Sequence, residues 1–179
     1  FDKLGNDVVY IEKRPWNENP HENYWKYAAR PNPDLEDLEV IQDRSNYTEA
    51  AALAVYMPGR TVKYRSSNVR GAYISGVTYD YNKMIQMDIE KGRYFNLFEH
   101  QKGVNRAILG HKVATELFQE IDPIGKEIKL WGQNFTVIGV LEAEGQSIVK
   151  VIPFDQAIFI SHNSAKKLIN VGAASAWGT

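Results

Sequence analysis

Between Met84 and Phe154 the chain is cut into short pieces by closely spaced turn signals, and that spacing limits what it can fold into. Gly92-Arg93-Tyr94-Phe95, Ala107-Ile108-Leu109-Gly110, Leu117-Phe118, Asp122-Pro123-Ile124-Gly125-Lys126 and Phe135-Thr136-Val137-Ile138-Gly139-Val140-Leu141 follow one another within 71 residues. Each apolar run is too short for a long helix. Glycine and proline fix where the chain turns, because glycine tolerates positive φ and proline fixes its own φ. The spacing predicts strand, helix, hairpin and strand in that order.

Asn105 to Leu109 reads as a strand, with Gly110 turning the chain into a helix over His111–Phe118. Val113, Ala114, Leu117 and Phe118 make that helix's apolar face. Asp122-Pro123-Ile124-Gly125 is a tight turn, and 126–130 with 134–141 form a hairpin around Trp131-Gly132-Gln133. Gly139 inside the second hairpin strand signals close packing or a bulge. Gly92 supplies a backbone conformation that other residues avoid, and Phe95 and Tyr94 turn their rings into the core. Arg93 is placed either to pair with a carboxylate there or to stand in solvent.

Upstream, Asp7–Lys13 has the β-branched and aromatic centre of a strand. The stretch from Arg14 to Pro33 holds Pro15, Pro20, Pro31 and Pro33 and reads as a loop without a regular element. Its rings Trp16, Tyr24, Trp25 and Tyr27 either fold back as a lid on the core or meet a partner. Asp34 caps a helix through Arg44, with Leu35, Leu38 and Ile41 at helical spacing and acids in the first turns. The latter half of Glu49–Met57 reads as a strand, ended by a turn at Pro58-Gly59. Arg60–Tyr64 and Asn68–Tyr79 alternate with period two and form a strand pair, with Ser66-Ser67-Asn68 joining them. Asp80–Ile85 is a helical turn and Met87–Glu90 a short strand.

Downstream, Glu142–Ser147 is a polar loop and Ile148–Ile152 a strand ending at Pro153. Ala157–Ile160 is another strand. Asn163 or Ser164 caps a last short helix through Ile169, and the tail from Gly172 is frayed.

Little here resembles a reaction centre. Gly125-Lys126 is followed by Glu127 rather than Ser or Thr, so the phosphate-cradling loop of nucleotide-binding proteins is missing. His21-Glu22 opens like a zinc-protease helix, but Trp25 stands where the second histidine belongs. There is no cysteine for a thiol nucleophile or thiolate site, and His100, His111 and His162 are isolated. With 21 basic against 22 acidic residues, net charge gives no reason to expect nucleic acid or an anionic membrane surface. Lys63-Tyr64-Arg65 and Arg70 interleave basic and aromatic residues, which an exposed strand face explains better than nucleic acid. No run in the sequence is long and apolar enough to span a membrane, so a membrane-anchored parent would carry these residues as a soluble piece.

Taken together, Gly92-Arg93-Tyr94-Phe95, Leu109-Gly110, Leu117-Phe118, Pro123-Ile124-Gly125-Lys126, Val137-Ile138-Gly139-Val140 and Ile152-Pro153 resemble, in order and spacing, the extracytoplasmic core domain of MacB-like (FtsX-like) ABC transporter permeases. The likeness is sharp over Met84–Phe154 and looser over Asp7–Tyr79. It implies an α+β fold of two lobes. Residues 1–80 and 150–179 would form a porter-like lobe, and 81–149 an inserted, Sabre-like lobe. By the same resemblance, a last porter strand and helix would be expected beyond the residues given.

The resemblance implies no catalysis and no cofactor in this domain, with ATP bound on a separate cytoplasmic ATPase domain or subunit. The motif residues Gly92, Arg93, Phe95, Gly110, Leu117, Phe118, Pro123, Gly125, Gly139 and Pro153 would be structural. Trp16, Tyr24, Trp25 and Tyr27 are candidates for partner contact. The implied location is periplasmic. The implied partners are the parent's own transmembrane helices and ATPase, a second copy or paired permease, and in some members a periplasmic adaptor and outer-membrane channel, with no nucleic acid. A ligand-binding or sensor module is the other reading, and a deep pocket lined by Trp16 and Trp25 would favour it.

Overall fold

The computed structural model describes residues 8–13, 24–28, 30–144 and 153–176. Its elements are α1 (Tyr24–Ala28), α2 (Leu35–Arg44), β1 (Ala54–Tyr64), β2 (Ser67–Val77), α3 (Tyr81–Met84), β3 (Ile89–Gly92), α4 (Leu97–Lys102), β4 (Arg106–Leu109), α5 (His111–Phe118), β5 (Glu127–Leu130), β6 (Gln133–Leu141), β7 (Ala157–Ser161) and α6 (His162–Ala176).

One seven-stranded sheet runs β3-β6-β4-β7-β2-β1-β5, and β5 also pairs with β6. The strands other than β3 therefore close into a ring. Residue Thr136 of β6 pairs with Arg106 of β4 and with Glu127 of β5, so those neighbours lie on opposite edges of β6. Further along β6, β3 takes over the edge that β5 leaves, with Gly92 opposite Gly139.

The ring holds the larger core. Phe135, Ile128, Leu130, Val62, Ile74, Leu109, Ile158 and Ile160 are fully buried, and α5 adds Leu117 and Phe118. The ring of Phe118 packs 4.2 Å from that of Tyr64. A second cluster, with Ile108, Phe159, Tyr81, Phe95 and Ile138, lies outside the ring. Strands β4 and β7 therefore bury both faces, which explains why each is an unbroken apolar run rather than an alternating one. Burying each large apolar side chain contributes roughly 1.5–3 kcal/mol.

The helix His111–Phe118, the Asp34 cap, the 127–141 hairpin and the 81–84 turn follow the sequence reading. Asp34 accepts from the amides of Glu36 and Asp37 at 2.9 and 3.1 Å, and Asp37 answers the Asp34 amide at 3.1 Å. The hairpin turns through Trp131 and Gly132, both at positive φ (49° and 77°), as a two-residue primed turn requires.

Other expectations are corrected. Residues 8–13 form no strand; Val9 is 81% and Ile11 60% exposed, and among the described residues no strand pairs with them to use their propensity. A five-residue helix, α1, forms between Pro20 and Pro31, where a loop without regular structure was expected. Pro58-Gly59 does not end a strand. It forms a bulge within β1, between the pairs Met57–Ile74 and Arg60–Ala72, a place where proline's missing N–H does no harm. A second bulge on β2 contains Gly71 at φ +72°. The two bulges touch, and a Cβ on Gly59 would stand 2.8 Å from the Gly71 carbonyl carbon.

The last helix starts at His162 and runs to Ala176, beyond the expected stop at Ile169. Its cap is Ser161 rather than Asn163 or Ser164. The Ser161 hydroxyl accepts from the Ser164 amide at 3.2 Å, while the Ser164 hydroxyl donates to the Val104 carbonyl at 3.1 Å. The expected strand Ile148–Ile152 lies outside the described residues. Strands β3 to β6 hydrogen-bond into the sheet that holds β1, β2 and β7, through β4–β7 and β1–β5.

Candidate functional site

The motif phrases converge on one seam. Gly92 sits at φ +80°, and a Cβ there would meet the Ile138 carbonyl oxygen at 2.1 Å and the Gly139 Cα at 3.0 Å. A Cβ on Gly139 would stand 2.7 Å from the Arg93 carbonyl oxygen. The Arg93 amide donates to the Ile138 carbonyl at 2.9 Å, and the Gly125 amide to Val137 at 2.8 Å. Two glycines thus let the 92–95 turn lie against β6, with the Pro123–Gly125 turn packed beneath through Ile124.

Arg93 pairs with a carboxylate. Its two terminal nitrogens donate to Glu99 Oε2 and Oε1, each at 2.7 Å, and one of them also reaches the Tyr94 carbonyl at 3.0 Å. Arg106 Nε donates to the same carboxylate at 3.1 Å and its Nη1 to Thr136 Oγ1 at 2.8 Å. Glu99 also accepts from the Asn96 amide at 3.2 Å, completing a capping box on α4. Glu99 is 6% exposed, and these partners, led by Arg93, hold its carboxyl pKa down at about 2. Glu99 therefore ties the 92–95 turn, α4 and β4 together, and Arg106 extends the link to β6.

Neither α4 nor Glu99 was expected from the sequence. The signal was present as Asn96-Leu97-Phe98-Glu99, the cap-x-x-Glu spacing that opens a helix, with Gly103 at φ +58° closing it. Helix α4 docks on the start of α6. Asn163 Nδ2 donates to the His100 and Gln101 carbonyls at 3.0 and 3.1 Å, and Lys167 Nζ to the Lys102 and Gly103 carbonyls, each at 3.0 Å. Burial lowers the pKa values of His100 and His162 beside this junction.

The other motif residues serve packing. Gly110 has an ordinary φ, but a Cβ there would lie 2.0 Å from the Phe154 carbonyl oxygen, so it admits the turn that follows Pro153. Phe95 is buried and stacks edge-on against Tyr94 at 5.0 Å. A shallow groove beside the seam is lined by Glu90, Lys91, His111, Thr115, Gln119 and Pro123, with His111 Nδ1 3.1 Å from Glu90.

The aromatic loop residues part company. Tyr27 is buried beneath the Arg30 guanidinium, 4.8 Å from its ring centre, whereas Trp25 is 78% exposed. Tyr24 lies in α1, and Trp16 lies outside the described residues. Among the described residues no group of three or more His, Cys, Asp and Glu side chains is placed to hold a metal ion, and no helix is long and apolar enough to cross a membrane.

The described residues thus form a strand-dominated α+β module, and its charged cluster at Glu99 binds elements of the fold to one another. The family model for the MacB-like periplasmic core domain matches residues 1–177, and the chain belongs to that family.

Over 133 residues, or 64% of the chain, it is 33% identical to a macrolide export ATP-binding/permease protein MacB of Chlorobaculum tepidum. It is also 33% identical over 76 residues to a pyoverdine export ATP-binding/permease protein PvdT of Pseudomonas aeruginosa, covering 42% of the chain. The chain spans only 20% and 12% of the lengths of these two relatives.

Two solved structures share the fold. The periplasmic region of MacB from Actinobacillus actinomycetemcomitans matches with TM-score 0.69 and 14% identity, over 86% of this chain and 66% of that one. The extracellular domain of the ABC-type transporter YknZ from Gram-positive bacteria matches with TM-score 0.62 and 23% identity, over 74% and 64%.

Proposed function

We propose that this chain is a non-catalytic periplasmic domain of an ABC transporter permease. It takes up the ATP-driven movement of the parent's transmembrane helices and transmits it to export or extraction of a substrate. The single observation that supports this most is the family match across residues 1–177.

The architecture fits the role. A transmitting part must resist bending, and here Glu99 and Arg106 join four elements at one point while α6 is fastened to α4 by side-chain bonds to its carbonyls. Under this reading ATP binds elsewhere in the parent, on a cytoplasmic ATPase domain or subunit, and the domain works beside a second copy or a paired permease. A periplasmic adaptor is a further proposed partner, and Trp25 offers it an exposed ring. The motif order assigns residues 1–80 and 150–179 to the porter-like part and 81–149 to the Sabre-like part, the two sharing one sheet here.

The test is deletion of residues 8–176 from the full-length parent. ATP hydrolysis is expected to persist while export stops. Export that continues without the domain would overturn the reading. So would saturable binding of a small ligand by the domain with its affinity lost on Trp25→Ala, which would favour a sensor module.

A further inference from the structure

The balanced net charge conceals a local segregation. Lys63 of β1 and Lys129 of β5 are direct cross-strand partners at the seam that closes the ring, so both side chains leave the same face. Their neighbours Val62, Tyr64, Ile128 and Leu130 point inward and are buried, which sends both lysines outward. Asn68 is opposite Lys63 on β2, with Arg70 two residues further on the same strand. Arg65 occupies the hairpin tip at φ 52°, its guanidinium 5.3 Å from the centre of the Tyr64 ring. Lys63, Arg65, Arg70 and Lys129 are all exposed, and none has an ion-pair partner among the described residues. The one carboxylate on the outward positions of β5 is Glu127, which accepts from Asn134 at 3.5 Å.

Like charges directly across a strand pair disfavour the pairing. Lysine often guards free sheet edges, but this pair closes a ring, where opposite charges would serve folding better. The basic and aromatic interleaving read in the sequence at 63–65 is therefore one side of a larger cationic face.

From this we infer that the outer face of β1, β2 and β5 rests on the anionic headgroups of a lipid bilayer. The part of the face around Lys63, Arg70 and Lys129 is an open sheet surface with dispersed cations. That suits a planar, delocalised array of negative charge better than one shaped ligand. Resting on the permease role proposed above, a membrane lies within tether reach, so weak binding is sufficient. Each cation near an anionic surface strengthens binding about fivefold, and salt weakens it within a Debye length of about 10 Å.

The test is co-sedimentation of this chain with vesicles of phosphatidylcholine containing about one-third phosphatidylglycerol, against phosphatidylcholine alone, at low and high salt. Binding is expected only to the anionic vesicles and only at low salt. Lys63→Glu with Lys129→Glu should weaken it at least tenfold, whereas Lys112→Glu on α5 should change it less than twofold. Should the double variant fail to fold, Arg65→Ser at the solvent-exposed tip should still show about a fivefold loss. Equal binding to neutral vesicles, or no change in the variants, overturns the inference. Free inorganic phosphate releasing the chain from vesicles at headgroup-equivalent concentration, or capture by polyglutamate without capture by vesicles, would reassign the face and also overturn it.

Discussion

Arg93 grips Glu99 through two parallel hydrogen bonds of 2.7 Å, and Arg106 approaches the same carboxylate at 3.1 Å. The carboxylate is buried, while Arg93 is about half exposed, so removing each partner has a different cost. Glu99→Gln leaves two guanidiniums facing a neutral amide, while the Asn96 side chain still caps α4 through the residue 99 amide. It should lower stability by about 2 kcal/mol, read from the urea midpoint. Arg93→Lys keeps the charge but loses the fork, and should cost about 1 kcal/mol.

Two acid-sensitive steps should appear in the stability profile. Glu99 is held well below its ordinary pKa of 4.5, to about 2. Its contribution is present above pH 4.5 and disappears as pH falls toward 2, because the unfolded chain takes up the proton first. His100 and His162 are lowered below 6.5, chiefly by burial, so the unfolded chain also binds their protons first. Their effect is an earlier decline that begins as pH drops through 6.5. Unfolding midpoints measured from pH 8 to 2 should show both steps. Glu99→Gln should abolish the lower one and leave the upper one intact.

Much of this architecture is legible in the residues. Period-two alternation marks β2, and Val113, Ala114, Leu117 and Phe118 mark the buried face of α5. Gly92 and Gly139 betray a close backbone approach because no other residue fits there. What stayed hidden depends on partners distant in sequence. The run Val8-Val9-Tyr10-Ile11 has strand propensity, yet a strand needs a neighbour, and propensity names none. Pro58-Gly59 has the composition of a turn, and only the register with Ile74 and Ala72 shows it to be a bulge. The Glu99 cluster joins positions 93, 99, 106 and 136, and of these only the Asn96–Glu99 cap is local enough to read. Lys63 and Lys129, 66 positions apart, meet through strand pairing alone.

The motif glycines should separate by mechanism when each becomes alanine. Gly125 has φ +78° but open space around it, so Gly125→Ala carries only conformational strain, about 1 kcal/mol. Gly110 has no positive φ, yet its new methyl would strike the Phe154 carbonyl, and Gly110→Ala should cost about 3 kcal/mol. Gly92 combines positive φ with the Ile138 carbonyl in the way, so Gly92→Ala should be the worst of the three. Denaturation midpoints that rank Gly125→Ala as the most damaging would show that the seam is looser than its contacts imply.

Reversing one charge at the ring seam should separate folding from surface binding. Lys63 and Lys129 face each other as like charges, so Lys63→Glu converts repulsion into an opposite-charge pair. Both positions are exposed strand sites with inward neighbours that are unchanged, so core packing is untouched. Stability should therefore rise by about 0.5 kcal/mol, an effect that high salt erodes. The same change removes a cation from the face formed by β1, β2 and β5, so retention on anionic vesicles should fall. A variant that is more stable yet binds less would show that the seam carries its like charges for a reason other than folding. If instead stability drops, Lys63 is held by contacts that the strand register does not reveal, and the repulsion assigned to this pair is absent.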